Sequence, residues 1–146
     1  MAAIDITIED KQLSSLFDKL ISKTSDLSPC MRNIAMIMKE TVLENFDSGG
    51  RPQRWILSKR VREEGGQTLI LKGMSGGLMG SITSKSDKTT AIVGTNKDYA
   101  ELHQFGGRMS NSAGEKSAKV PARPFLVIPD EEMQEIRDTI LDYLKI

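Results

Sequence analysis

The sequence predicts an α+β fold: a small antiparallel sheet packed against two N-terminal helices, with an amphipathic helix at the C-terminus. Three observations carry this expectation. Apolar residues recur at helical spacing between Leu13 and Ile21, between Met31 and Phe46, and between Met133 and Leu144. Short stretches of strand character stand at the N-terminus and between Ser81 and Thr95. Helices and strands come in runs and not in strict alternation, the order that distinguishes α+β from a parallel α/β sheet.

Ile4, Ile6 and Ile8 alternate with Asp5, Thr7 and Glu9, the pattern of a strand with one buried face. Leu13, Leu16, Phe17, Leu20 and Ile21 then form one stripe on a first helix. Ser28-Pro29 reads as a helix start, with Ser as cap and Pro in the first turn. Met31, Ile34, Ala35, Met38, Val42 and Phe46 share a face of this second helix, and Met36 and Ile37 widen it. Gly49-Gly50 ends it. A basic arm at about 50–66 follows, with a short helix ended by Gly65-Gly66. Thr68 to Leu71 is a strand candidate. Ser81–Ser86 and Thr90–Thr95 read as a hairpin turning at Asp87-Lys88.

Tyr99 to Phe105 predicts a helical turn. Residues 106–119 hold Met109 as their only large apolar residue, so they read as a mobile loop. Pro121 and Pro124 make the next segment stiff and extended. Phe125 to Ile128 reads as a last short strand. Asp130, Glu131 and Glu132 suit the positive end of the terminal helix.

The chain has 146 residues, the size of one domain spanning 1–146 with a core of its own. Its 38% hydrophobic and 27% charged content argues against wholesale disorder. Its zero net charge sets it apart from the basic domains that bind nucleic acid. The charge is uneven: residues 1–26 carry −2 and 130–146 carry −4, against +4 for 51–72 and +3 for 106–124. An acidic end could meet a neighbour's basic middle, or these clusters are solvated faces. Cys30 is the only cysteine, which excludes an intrachain disulfide and fits folding in a reducing cytoplasm. No signal-peptide pattern opens the sequence, and no apolar run approaches a membrane span.

Catalytic motifs are missing. His103 is the only histidine, too few for a His/Cys zinc site. No G-x-S-x-G elbow accompanies it, so a structural role is expected, with a hydrolase as the weakest rival. The glycines between Lys72 and Gly80 lack the G-K-[ST] ending of a phosphate loop. No cofactor or metal is expected. Trp55 among Arg51, Arg54, Lys59 and Arg60 has the composition of a nucleic-acid contact. The competing reading is an anchor onto the domain or onto a neighbouring subunit.

Three segments together resemble a known family. Glu44-Asn45-Phe46 leads through a Gly/Pro turn into Arg54-Trp55-Ile56-Leu57-Ser58. Val93-Gly94-Thr95 leads into Tyr99-Ala100-Glu101-Leu102-His103-Gln104-Phe105-Gly106. Pro121-Ala122-Arg123-Pro124-Phe125-Leu126 completes the set. In this order and spacing they resemble the phage virion morphogenesis, or tail-completion, family of Mu-like and related tailed phages, from about Leu13 to the last helix. The turns at Ser48-Gly49-Gly50-Arg51-Pro52 and Ser75-Gly76-Gly77-Leu78 depart from the usual pattern but keep their glycines.

The resemblance implies a structural protein that completes the tail or joins it to the head at the neck. It implies no cofactor and no catalytic residue. It implies a ring, with six copies as the first expectation, contacting tail and neck or connector proteins near packaged DNA. The protein would sit in the virion after assembly in the host cytoplasm. Tyr99, His103 and Phe105 are expected to close the sheet with aromatic bulk, and Gln104 and Gly106 complete that motif. Arg54, Trp55, Arg123 and Phe125 are expected at a subunit or partner interface. On that reading Arg123→Glu leaves the monomer's melting unchanged and separates heads from tails. The rival is a DNA-binding accessory protein using the arm around Trp55.

Overall fold

A computed structural model describes residues 4–5, 10–23, 26–69, 77–110 and 117–145. In chain order the elements are β1 (Ile4–Asp5), α1 (Lys11–Lys23), α2 (Ser28–Asp47), α3 (Lys59–Glu64), α4 (Gly77–Gly80), β2 (Thr83–Ser86), β3 (Ala91–Thr95), α5 (Ala100–Phe105), β4 (Gly107–Ser110), β5 (Ser117–Val120) and α6 (Asp130–Leu144). The fold is α+β, as the periodicities predict.

The main sheet has the order β1-β3-β2 and is antiparallel throughout. Its β2–β3 hairpin turns where expected. The Asp87 carboxylate accepts from the Thr89 and Thr90 amides at 2.8 and 2.7 Å, closing the turn. Helix α2 is the hub. It packs on β2 and β3 and also on α6, while α1 rests on α6. Its buried stripe includes Met31, Ile34, Ala35, Met38, Val42 and Phe46. Leu13 is buried, and Leu16, Phe17 and Ile37 pack partly against the same core.

Several local expectations are corrected. Met36 is 53% exposed, because it stands about 200° around the helix from Ile34. Ser28 begins α2 but does not cap it. Its own amide and hydroxyl instead donate to Asp26. Thr68 and Leu69 form a turn and not a strand, and the remainder of that candidate lies outside the described residues. So do Ile6 to Ile8, the end of the first strand, and most of the glycine-rich stretch.

Two larger corrections concern the C-terminal half. Within the expected loop 106–119, β4 and β5 pair in register from Gly107↔Val120 to Ser110↔Ser117. The part between them lies outside the described residues. Residues 125–128 form no strand. Side chains take the place of a neighbouring strand there, as described next. Among the described residues no helix is long and apolar enough to cross a membrane.

Candidate functional site

The three motif segments converge at the C-terminal end of α2. Phe46 and Phe125 are fully buried, and Trp55 is 7% exposed. The Phe46 and Trp55 rings meet edge-on at 5.7 Å, and Phe46 and Phe125 lie 5.3 Å apart. These are favourable aromatic separations. The Trp55 indole N–H donates to the Pro124 carbonyl at 3.0 Å, which satisfies the ring's one polar atom.

The turn after α2 delivers Trp55 to this place. The Gly50 amide donates to Asn45 and the Trp55 amide to Gly49, each at 2.8 Å. Gly50 has φ +109°, and a Cβ there would stand 2.7 Å from the Trp55 ring. Only glycine meets both conditions without strain. The Arg51-Pro52 peptide is cis.

Polar side chains hold the extended strap at 125–127. Asn45 Nδ2 donates to the Phe125 and Val127 carbonyls, both at 2.8 Å. Gln104 Oε1 accepts from the Phe125 and Leu126 amides, both at 3.0 Å. Arg51 Nε donates to Asn45 Oδ1 at 2.9 Å and so fixes the amide's orientation. The Arg51 guanidinium also pairs with Glu132 on α6 and donates to the Thr41 carbonyl at 3.2 Å. The strap, α2, α5 and α6 are thereby tied together by one buried network.

Arg123 lies inside this lock. It is 6% exposed, its Nε donates to the Ile56 carbonyl at 2.8 Å, and its amide donates to the His103 carbonyl at 2.7 Å. Gly106 crosses the strap so closely that a Cβ would stand 2.8 Å from the Ala122 nitrogen. Trp55, Arg123 and Phe125, expected at an interface, are therefore committed within the subunit. The prolines mark this segment as stiff and extended, and its backbone bonds draw it inward. Pro124 and Arg54 remain at the surface, and Pro121 is half-buried. Tyr99 and Phe105, expected to close the sheet, are 43% and 62% exposed instead. Their helix turns its Ala100 and Gln104 face to the core.

His103 is half-buried, its ring edge-on to Tyr99 at 6.0 Å. Its Nδ1 is buried and makes no hydrogen bond among the described residues. Burial, with the Arg123 charge adding to it, lowers its pKa from the ordinary 6.5. The folded protein thus binds fewer protons than the unfolded chain just below that value. This contribution to stability is complete above about pH 6.5 and declines as pH falls toward the folded pKa. We expect denaturant melts at about pH 7.5 and about pH 5.5 to differ more for the native protein than for His103→Gln. Equal pH dependence would show that His103 titrates as in an unfolded chain. The half-buried Asp10 and the exposed Asp26 and Asp87 have lowered pKa values and act only at lower pH.

A second expectation replaces that of an interfacial arginine. Arg123→Glu should destabilise the isolated subunit by about 3 kcal/mol or more, because a carboxylate cannot donate to the Ile56 carbonyl and would be buried unpaired. Unchanged melting would return Arg123 to the surface.

Sequence reading missed Asn45, Arg51 and Glu132 as network members. Asn45 carried a visible signal: it falls on the apolar stripe seven residues after Met38, where a polar residue needs buried partners. Arg51 and Glu132 carried none, because their meeting depends on how α6 packs on α2. Among the described residues no cluster of potential metal ligands occurs.

The arrangement therefore assembles one rigid end of the subunit, with Ile56 and Leu57 exposed beside it at 66% and 52%. The model of the phage virion morphogenesis family matches residues 8–145. The chain is 39% identical over 144 residues to "Mu-like prophage FluMu G protein 2" of Haemophilus influenzae, covering 98% of this chain and 97% of that protein. It is 37% identical over 67 residues to "Putative capsid assembly protein G" of Escherichia phage Mu, covering 46% of this chain and 42% of that one. No solved structure matches the chain significantly. With nearly its whole length matched, this chain belongs to the phage virion morphogenesis family and has a structural role in building the particle.

Proposed function

We propose that this protein completes the tail and joins it to the head at the neck, acting as a ring of identical subunits and not as an enzyme. The observation that carries this reading is the family match from residue 8 to residue 145, which includes every segment of the lock. The lock supports it physically. Its polar groups are spent on backbone carbonyls and amides, and its aromatic rings on one another. Such an end is stiff, as a part loaded between two large assemblies must be. Six copies would match the rotational symmetry of a tail. The protein would reside in the virion after assembling in the host cytoplasm.

The rival DNA-binding reading loses its stacking ring, because Trp55 is enclosed by Phe46 and Pro124. Deleting the gene from a producing phage should yield full heads and finished tails that stay separate, seen by electron microscopy and restored by complementation. Missing or malformed heads would instead place the protein in capsid assembly, and joined particles would refute a neck role.

A further inference from the structure

Strands β4 and β5 form a ribbon outside the main sheet, and the ribbon packs on the body through α5 at its root. Gly106 and Gly107, both at positive φ, turn the chain from α5 into β4. Strand β5 returns through Val120, the partner of Gly107, into the strap. The place where residues 120–123 lie on α5 therefore sets the direction of the ribbon. Among the described residues one hydrogen bond joins α5 to residues 121–123, from the Arg123 amide to the His103 carbonyl. The rest is close packing: a Cβ at Gly107 would stand 3.1 Å from Leu102 Cδ1, and Gly106 abuts Ala122.

This junction suits a neutral His103. The buried Nδ1 has no hydrogen-bond partner among the described residues. A neutral ring that carries its proton on Nε2 leaves Nδ1 as an idle acceptor. A charged ring makes it an N–H donor with nothing to receive it. The charge would also stand beside the Arg123 guanidinium, itself 6% exposed. The charged groups on α5 and on the segments around it are Lys97, Asp98, Glu101, Arg108, Lys119, Arg54 and Arg123. Of these Arg123 alone bears on the charge of His103, and it opposes it; no carboxylate compensates. The remaining titratable neighbour is Tyr99, whose ring meets the imidazole edge-on.

We propose that His103 and Arg123 form a proton-operated latch on the ribbon: a proton taken up by His103 frees residues 120–123 from α5 while the lock around Phe46 stays closed. The closed form disfavours the proton and the open form accepts it as an ordinary histidine does, so mild acid favours opening. The lock does not depend on this pair. Phe46, Trp55 and Phe125 pack on one another, and Asn45 and Gln104 hold residues 125–127. The Arg123 side chain keeps its bond to the Ile56 carbonyl when its amide leaves His103. At neutral pH the latch is shut and the ribbon is held in one direction; in mild acid its root is released more often.

The test is amide hydrogen exchange of the purified protein, read residue by residue by NMR and corrected for the intrinsic effect of pH. At neutral pH the Arg123 amide should exchange faster than those of Phe125 and Leu126 and be insensitive to low denaturant, the mark of a local opening. Between about pH 7.5 and about pH 5.5 its protection should fall severalfold, and by no more than about tenfold, because a single proton is taken up near the ordinary histidine pKa. In His103→Gln the opening should stay local and the fall should vanish. Protection that is unchanged by acid in the native protein overturns the proposal. So does an Arg123 amide that exchanges only with global unfolding, at the rate and denaturant slope of Phe125. The native protein alone decides these two outcomes. An imidazole that titrates while the Arg123 amide stays protected would show the ring turning out to water with the strap in place, and acid loosening that persists in His103→Gln would give the effect to another group; either result sinks the latch.

Discussion

Phe46→Ala should lower the unfolding free energy by about 3–5 kcal/mol, the range for emptying a fully buried aromatic site. Phe46 has no solvent exposure and meets Trp55 edge-on and Phe125 at a tilt. Its removal leaves a void lined by residues from three distant parts of the chain. The neighbours collapse poorly into it, because Trp55 and the strap are each held by hydrogen bonds made elsewhere. Denaturant melts of the purified chain measure the loss directly. A change below about 1 kcal/mol would mean that the rings separate in solution and that the lock is not closed.

Asn45→Asp is the second large effect, expected at about 3 kcal/mol, from two buried carbonyls that each lose a donor. The substitution keeps the side chain's shape but sets a carboxylate oxygen against the Phe125 and Val127 carbonyls, while its added charge beside Arg51 offsets part of the loss. Hydrogen exchange should rise for the Phe125 and Leu126 amides, because the strap loosens from one side while Gln104 still accepts them. A variant as stable as the native protein would show that the strap is held by packing alone. The pair Asn45→Asp and Gln104→Ala should cost less together than the sum of the singles, because both grip Phe125 and between them hold one run of three residues.

The helices and the main hairpin were legible from local pattern. The stripe from Met31 to Phe46 and the turn at Asp87 need only side chains within a few positions of one another. The motif segments were legible as a set, and they led to the family. The use of each motif residue was not legible. Trp55 reaches Pro124 and Asn45 reaches Phe125 across 69 and 80 positions of sequence, and periodicity carries no information about pairs that distant.

The spacing of apolar residues thus determined the α+β class and the ends of the three long helices to within about two residues, and the motif segments carried the resemblance to the virion assembly family. Tertiary structure decided which side of each segment faces in. It turned the apolar run at 125–128 from a strand into a strap, because Asn45 and Gln104 supply the partners that a neighbouring strand would have supplied. It drew Arg123 inward onto the Ile56 carbonyl. It paired Gly107–Ser110 with Ser117–Val120, a ribbon that low apolar content disguised as loop. In each case the deciding force is the need of backbone groups for hydrogen-bond partners, and those partners are chosen by the fold and not by the neighbours in sequence.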